Sequence, residues 1–181
     1  SGTGWGLKWD YIIIHESGHE WFGNSITSKD IADMWIHESF TTYAETVYVE
    51  CTQGYEAAKQ YIFGQSKMVA NKKPMIGVFG VNAKPKSSDH YYKGALMLHT
   101  LRHTFANDTD WWKTLKLFTE TFAYQIIESK EVVDFFQKHT DWNVVPFFEQ
   151  YLQHPEIPKL QIKENKNRWE VFFTSNVENF Q

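Results

Sequence analysis

The chain has 181 residues, 42% of them apolar and 17% aromatic, and a formal charge of −4. That is one ordinary domain with ample apolar surface, so disorder is excluded, and the acidic balance lacks the basic footprint of a nucleic-acid binder. A single cysteine, Cys51, excludes an internal disulfide framework and a cysteine-built zinc cage.

Taken in chain order, the pattern is mostly helical. The chain lacks an initiator Met and opens Ser1-Gly2-Thr3-Gly4, which reads as a piece of a longer or processed protein. Residues 8–24 carry Tyr11, Ile14, Gly18 and Phe22 at helical spacing and stop at Gly23-Asn24. The apolar run Ile12-Ile13-Ile14 is cut off by His15, so neither a transmembrane segment nor a signal peptide fits. Residues 25–33 read as a connector with one short turn after Ser28. A second helix runs Met34 to Thr52 and ends at Gln53-Gly54; a third runs from Tyr55 to about Asn71 and ends at Lys72-Lys73-Pro74. Pro74 to Asp89 reads as a loop, a length more often functional than idle. Asp89 is expected to cap a helix reaching about Phe105. Asp108 or Asp110 starts the next, to Phe122; Ser129 starts another, and Val144–Leu152 forms a last short one. After His154-Pro155 the alternation of Leu160/Ile162 with Trp169/Val171/Phe173 around Glu164-Asn165-Lys166-Asn167 predicts a β-hairpin. A lone hairpin is marginal, so it reads as the start of a β-unit.

His15-Glu16-Ser17-Gly18-His19 spells HExxH inside the first predicted helix. The two histidines lie about 40° apart around the axis and one turn apart along it. Two imidazoles on one face reach a single metal, while Glu16 is rotated enough to contact water there instead. Imidazole suits zinc, whose catalytic sites take three protein ligands. The motif arises in roughly 3% of shuffled chains of this composition, so a third ligand decides. The metzincin continuation needs Gly at 22 and His at 25; Phe22 and Ser25 exclude it. Farther on, near the start of the second helix, stand His37 and Glu38, each able to ligate; Glu38 follows His19 by nineteen residues.

HExxH, eighteen residues, then Glu resembles the zinc signature of the gluzincin aminopeptidases, the aminopeptidase N-like family. Three further stretches agree: the Glu-Trp-Phe-Gly-Asn end of the first motif, Trp35 to Glu45 with its second acid, and Tyr91-Tyr92-Lys93-Gly94-Ala95, similar to the family's Tyr-x-Lys-Gly. The resemblance spans about residues 5–153. It implies one Zn²⁺ per chain on His15, His19 and Glu38, Glu16 as general base, Tyr91 as oxyanion donor, and a peptide substrate. Glu45, about 20° from the face of Glu38, reads either as an acid that orients a ligating histidine or as a solvated surface acid. Two departures stand out: His37 and Ser39 flank Glu38, where the family commonly has Asn and Gly. The family's amine-docking Gly-x-Met-Glu-Asn strand is not spelled in the fourteen residues before His15.

The expected fold is therefore mainly α, the helical lobe of a thermolysin-like metallopeptidase domain over residues 1–153, lacking its upstream β part. Residues 154–181 form a linker and the start of a small β-domain. The remainder of the parent chain is expected to pack on this piece. The expected function is zinc-dependent peptide hydrolysis, with removal of N-terminal residues by the parent protein and weak or no activity in the piece alone. A thermolysin-like endopeptidase usually carries Asp four residues after the ligand Glu; Thr42 stands there. Epoxide-lipid hydrolysis, known in the same family, is not selected by any residue. A non-catalytic scaffold usually loses ligands or base, and this chain keeps them all. His99 and His103, one turn apart beside Arg102, read as packing or surface residues, Trp111-Trp112 and Phe135-Phe136 as core, and Cys51 as a core thiol. With 16 Lys and only 2 Arg, the sequence offers little guanidinium for clamping carboxylates.

Overall fold

The structure, a computed structural model, describes residues 4–6, 8–83, 87–166 and 168–180. The opening Ser1-Gly2-Thr3, residues 84–86 of the predicted loop and Asn167 of the predicted hairpin turn lie outside them.

Helix α1, Tyr11–Gly18, starts where the Asp10 carboxylate accepts the Ile12 N–H. It ends six residues before the predicted stop. From there the chain widens: Asn24, Ser25 and Ile26 donate to the carbonyls of His19, Glu20 and Trp21, five residues back. Periodicity continues through such a turn, which is why the pattern read as helix. The turn delivers strand β1, Ile26–Ser28, which pairs in parallel with β2, Gln125–Ile127. This two-stranded sheet was not predicted; its strands are three residues long, and Ile26 and Ile127 are fully buried.

A 3-10 turn at Ile31–Asp33 leads into α2, Trp35–Gln53. Gly54, at φ +88°, breaks it and allows α3, Tyr55–Ser66, to start at once. Helix α4 spans Tyr92–Arg102, α5 Asp108–Thr121, α6 Ser129–Lys138 and α7 Val145–Gln153. Helix α2 is the centre: α1, α3 and α4 all pack on it. Its Trp35, Ile36, Phe40, Tyr43 and Val49 are 0–1% exposed, each such burial contributing roughly 1.5–3 kcal/mol. Phe40 stacks on Phe22 at 5.0 Å and on Phe118 at 5.0 Å, and Phe118 on Phe136 at 5.7 Å. Those rings join the α1–β1 turn, α2, α5 and α6 through one core, in which Trp111, Phe135 and Phe136 sit as expected.

Several expectations change. Helix α3 stops at Ser66, not Asn71, because the Asp89 carboxylate accepts the Ala70 and Asn71 N–H groups at 2.7 and 2.8 Å. Asp89 thus ties down the end of α3 rather than capping α4 with its side chain. Helix α4 ends at Arg102, before Phe105. Helix α5 is capped by Asn107, whose side chain accepts the Asp110 N–H at 3.0 Å. Cys51 is exposed, not a core thiol. Arg102 is 2% exposed and does clamp carboxylates: Glu50 on α2, at 2.5 and 2.8 Å, and Asp108 at 2.7 and 2.8 Å.

The predicted hairpin forms as β3, Lys159–Asn165, antiparallel to β4, Arg168–Thr174. Leu160 faces Phe173 and Ile162 faces Val171, and these apolar side chains are exposed. No helix of the described residues is long and apolar enough to cross a membrane.

Helix α4 approaches α2 through Gly94. A Cβ there would sit 1.7 Å from Ser39 Oγ and 2.5 Å from its Cβ. Gly94→Ala should therefore destabilise by roughly 1–3 kcal/mol, the usual cost of overpacking, read as a lower denaturant midpoint at unchanged slope. Ser39→Gly in the same chain should recover part of the loss; full stability in the single variant would show that the helices separate freely.

Candidate metal centre

His15 and His19 lie at the end of α1, the first inside it and the second at its C-cap. Packing of α1 on α2 brings Glu38, in the first turn of α2, over both rings. Glu38 Oε2 lies 3.3 Å from His15 Nε2 and 3.5 Å from His19 Nε2. One ligand atom from each of the three lies within 4.8 Å of the others. His15 and Glu38 are 8% exposed and His19 is half-buried.

Each imidazole is held by its other nitrogen. His15 Nδ1 donates to Glu45 Oε1 at 2.7 Å, and His19 Nδ1 donates to the Phe22 carbonyl at 2.9 Å. That carbonyl is presented by the wide turn after α1. Both bonds leave Nε2 unprotonated on the side of Glu38 when the rings are neutral. Ligand bonds of about 2.0–2.1 Å in a tetrahedron put neighbouring donors about 3.3–3.4 Å apart. The two nitrogen–oxygen separations are close to that edge, and all three donor atoms lie within 4.8 Å of one another, so the donor set fits a zinc ion in chemistry and is grouped closely enough to share one.

The charges of these groups also act on one another. Burial alone would lower the His15 pKa, but hydrogen bonds and charge from Glu38 and Glu45 push it up to about 9. Burial would raise Glu38, yet His15, His19 and the Tyr91 hydroxyl together hold it below the usual carboxylate range. Burial, then the charge of Glu38, pushes the Tyr91 phenol up to about 12, so it stays protonated as a donor near neutral pH. Tyr91 immediately precedes α4, and its ring packs against His90 at 4.5 Å and His15 at 6.1 Å.

Glu16 is exposed and lines a cleft of about 260 Å³ together with Tyr11, His15, Glu45, Tyr91 and Tyr92. The structure therefore brings together all six side chains singled out from the sequence: His15, Glu16, His19, Glu38, Glu45 and Tyr91. Glu45, 4% exposed, is buried against His15 rather than solvated.

The two departures flanking Glu38 have their own partners. His37 Nε2 accepts the Ser28 N–H at 2.8 Å, so that nitrogen is committed to β1. Ser39 Oγ donates to the His90 carbonyl at 2.7 Å, tying α2 to the residue before Tyr91. Lys93, in the motif after Tyr91, is buried and donates to the His154 and Pro155 carbonyls, each at 2.9 Å. It anchors α4 to the end of α7. His99 and His103 bring their Nε2 atoms to 3.2 Å, and no third metal-ligating group joins them among the described residues. Two residues that sequence reading passed over, Tyr61 and Gln65 on α3, both reach Glu45. Their only sequence signal is their spacing, one turn apart.

A family model described as the Peptidase family M1 domain matches residues 7–151. The chain is 26% identical over 141 residues to aminopeptidase B of Mus musculus, covering 71% of this chain and 22% of that protein. It is 25% identical over 164 residues to aminopeptidase N of Lactococcus lactis subsp. lactis, covering 81% of this chain and 19% of that one. It thus spans about a fifth of the length of the curated relatives it matches. Among solved structures, an M1 zinc metallopeptidase from Deinococcus radiodurans superposes with a TM-score of 0.68 at 22% identity, covering 82% of this chain and 34% of that chain. Leukotriene A4 hydrolase from Saccharomyces cerevisiae gives 0.72 at 17% identity, covering 82% and 26%. At those identities the likeness is one of fold: the mainly helical arrangement with small sheets is that of M1 catalytic domains.

Proposed function

The chain belongs to peptidase family M1, and from that premise we propose that its parent protein hydrolyses peptide bonds at a zinc ion held by His15, His19 and Glu38. The observation that carries this is the convergence of two imidazole nitrogens on one carboxylate oxygen at 3.3 and 3.5 Å, with both remaining ring nitrogens already bonded. Zinc in such a site supplies Lewis acidity toward a carbonyl oxygen and toward water.

The other roles belong to the chain. Glu16 stands at the cleft beside His15, and among the described residues no lysine or arginine pairs with it. Its carboxylate takes a proton as water oxygen bonds to the peptide carbonyl carbon, then returns that proton to the amine nitrogen as the carbon–nitrogen bond breaks. Tyr91 donates a hydrogen bond to the carbonyl oxygen as negative charge builds there. That bond is stronger in the transition state than in the ground state, which makes it catalytic. Glu45 keeps the His15 ring in one tautomer and one orientation.

Removal of N-terminal residues is the finer part of the reading, and the similarity to aminopeptidases B and N supports it. The family's amine-docking Gly-x-Met-Glu-Asn sequence is not spelled before His15, so residues 1–181 alone should show weak or no aminopeptidase activity. Residues 154–181 are assigned to a second unit of the parent: the family match stops at residue 151 and the apolar hairpin face is exposed. The parent protein should release the first residue of a peptide with a free amino terminus and leave its N-acetylated counterpart intact. Cleavage of the blocked peptide at an internal bond would replace this reading with an endopeptidase.

A further inference from the structure

His15, one of the three converging groups, bonds to Glu45, and Glu45 in turn bonds to two residues of α3, which contributes none of those three groups. Tyr61 and Gln65 stand one turn apart on α3, 1% and 0% exposed. The Tyr61 hydroxyl donates to Glu45 Oε2, and Gln65 Nε2 donates to the same oxygen at 3.3 Å. The other oxygen, Oε1, is left for His15 Nδ1 at 2.7 Å. One carboxylate is thus held at both ends, with the α3 donors on one oxygen and the ligand ring on the other.

We propose that Tyr61 and Gln65 are positioning residues: by fixing the Glu45 carboxylate they fix the rotation of the His15 ring, and so set how tightly the site holds zinc. The inference rests on the zinc reading above.

The physical reason lies in freedom. A glutamate side chain loses considerable rotamer entropy when ordered, and a single bond from an imidazole does not restrain all its torsions. Two donors on the far oxygen do. The ring of a histidine turns about one bond, so the direction of Nε2 follows the position of the group bonded to Nδ1. Tyr61 is itself wedged. Trp5 meets its ring edge-on at 6.4 Å, Trp9 lies at 5.3 Å, and Val49 and Ala58 complete the apolar cluster. Order therefore passes from the aromatic cluster to the phenol, from the phenol to Glu45, and from Glu45 to His15. A tyrosine placed there only for packing would not need its hydroxyl on that carboxylate.

Tyr61→Phe keeps the ring and removes only the hydroxyl. In the full-length parent, zinc affinity is measured by competition with a chromogenic chelator for the wild type, Tyr61→Phe, Glu45→Ala, their double variant, and His19→Ala. Tyr61→Phe should weaken zinc binding about tenfold, at the lower end of what lost support of a ligand costs. In the Glu45→Ala background the same change should alter zinc affinity less than twofold, since its route to the metal is gone. A purely structural hydroxyl would lower the melting temperature and leave the zinc dissociation constant unmoved. That result overturns the proposal, as does an undiminished tenfold effect without Glu45. Should Tyr61→Phe not fold, Gln65→Met removes the second donor at nearly constant volume and must weaken zinc in the same direction. His19→Ala separates the two readings. If it still binds zinc as the wild type does, the ligand assignment fails. If it loses zinc while Tyr61→Phe does not, only the α3 proposal fails.

Discussion

Glu16→Gln in the full-length parent should lower kcat for peptide hydrolysis by roughly 10²–10⁴-fold, with zinc content unchanged. The amide fills the same space in the cleft but cannot take up a proton. Glu16 is exposed and contributes none of the three converging ligand atoms. Its loss should therefore leave metal affinity and folding intact, and the effect should fall on kcat more than on KM. Tyr91→Phe in the same assay should cost roughly 10²–10³-fold, the usual worth of one oxyanion donor. Wild-type turnover in the Gln variant, measured with zinc bound, would remove Glu16 from the mechanism. An unchanged rate in the Phe variant would move the donor role elsewhere in the cleft, in the first place to Tyr92, which also lines it.

His19→Ala should reduce zinc from about one per chain to near zero after dialysis, since catalytic sites rest on three protein ligands. The turn that follows His19 is built from backbone bonds to the carbonyls of His19, Glu20 and Trp21. Alanine can still supply the first of these, so the fold should survive. His37→Ala gives the contrast. Its Nε2 is already bonded to the Ser28 N–H, so zinc should stay while the start of α2 loosens from β1. Full zinc occupancy in His19→Ala, or loss of zinc in His37→Ala alone, would require a different ligand set.

The helix pattern was readable because apolar residues at three- and four-residue intervals report the face that packs, and most of α2 through α7 follows it. The reading failed where a distant group overrides local periodicity. Asp89 captures the N–H groups of Ala70 and Asn71 and so ends α3 early. The β1–β2 pair joins three-residue segments about a hundred positions apart, Ile26 opposite Gln125, and neither strand is long enough to show alternation. Arg102 looked isolated in a lysine-rich chain, yet it gathers Glu50 from α2 and Asp108 from the start of α5.

The candidate centre divides along the same line. Helical geometry alone puts His15 and His19 on one face, because residues four apart lie one turn above each other, and the spacing to Glu38 was visible in the sequence. Tertiary structure decided what those groups meet: that Glu38 rather than His37 turns toward the rings, that Phe22 and Glu45 each hold one imidazole, and that Tyr61 and Gln65 hold Glu45. Those contacts depend on how α1, α2 and α3 cross, and a crossing is set by packing over the whole core. No short stretch of sequence contains it.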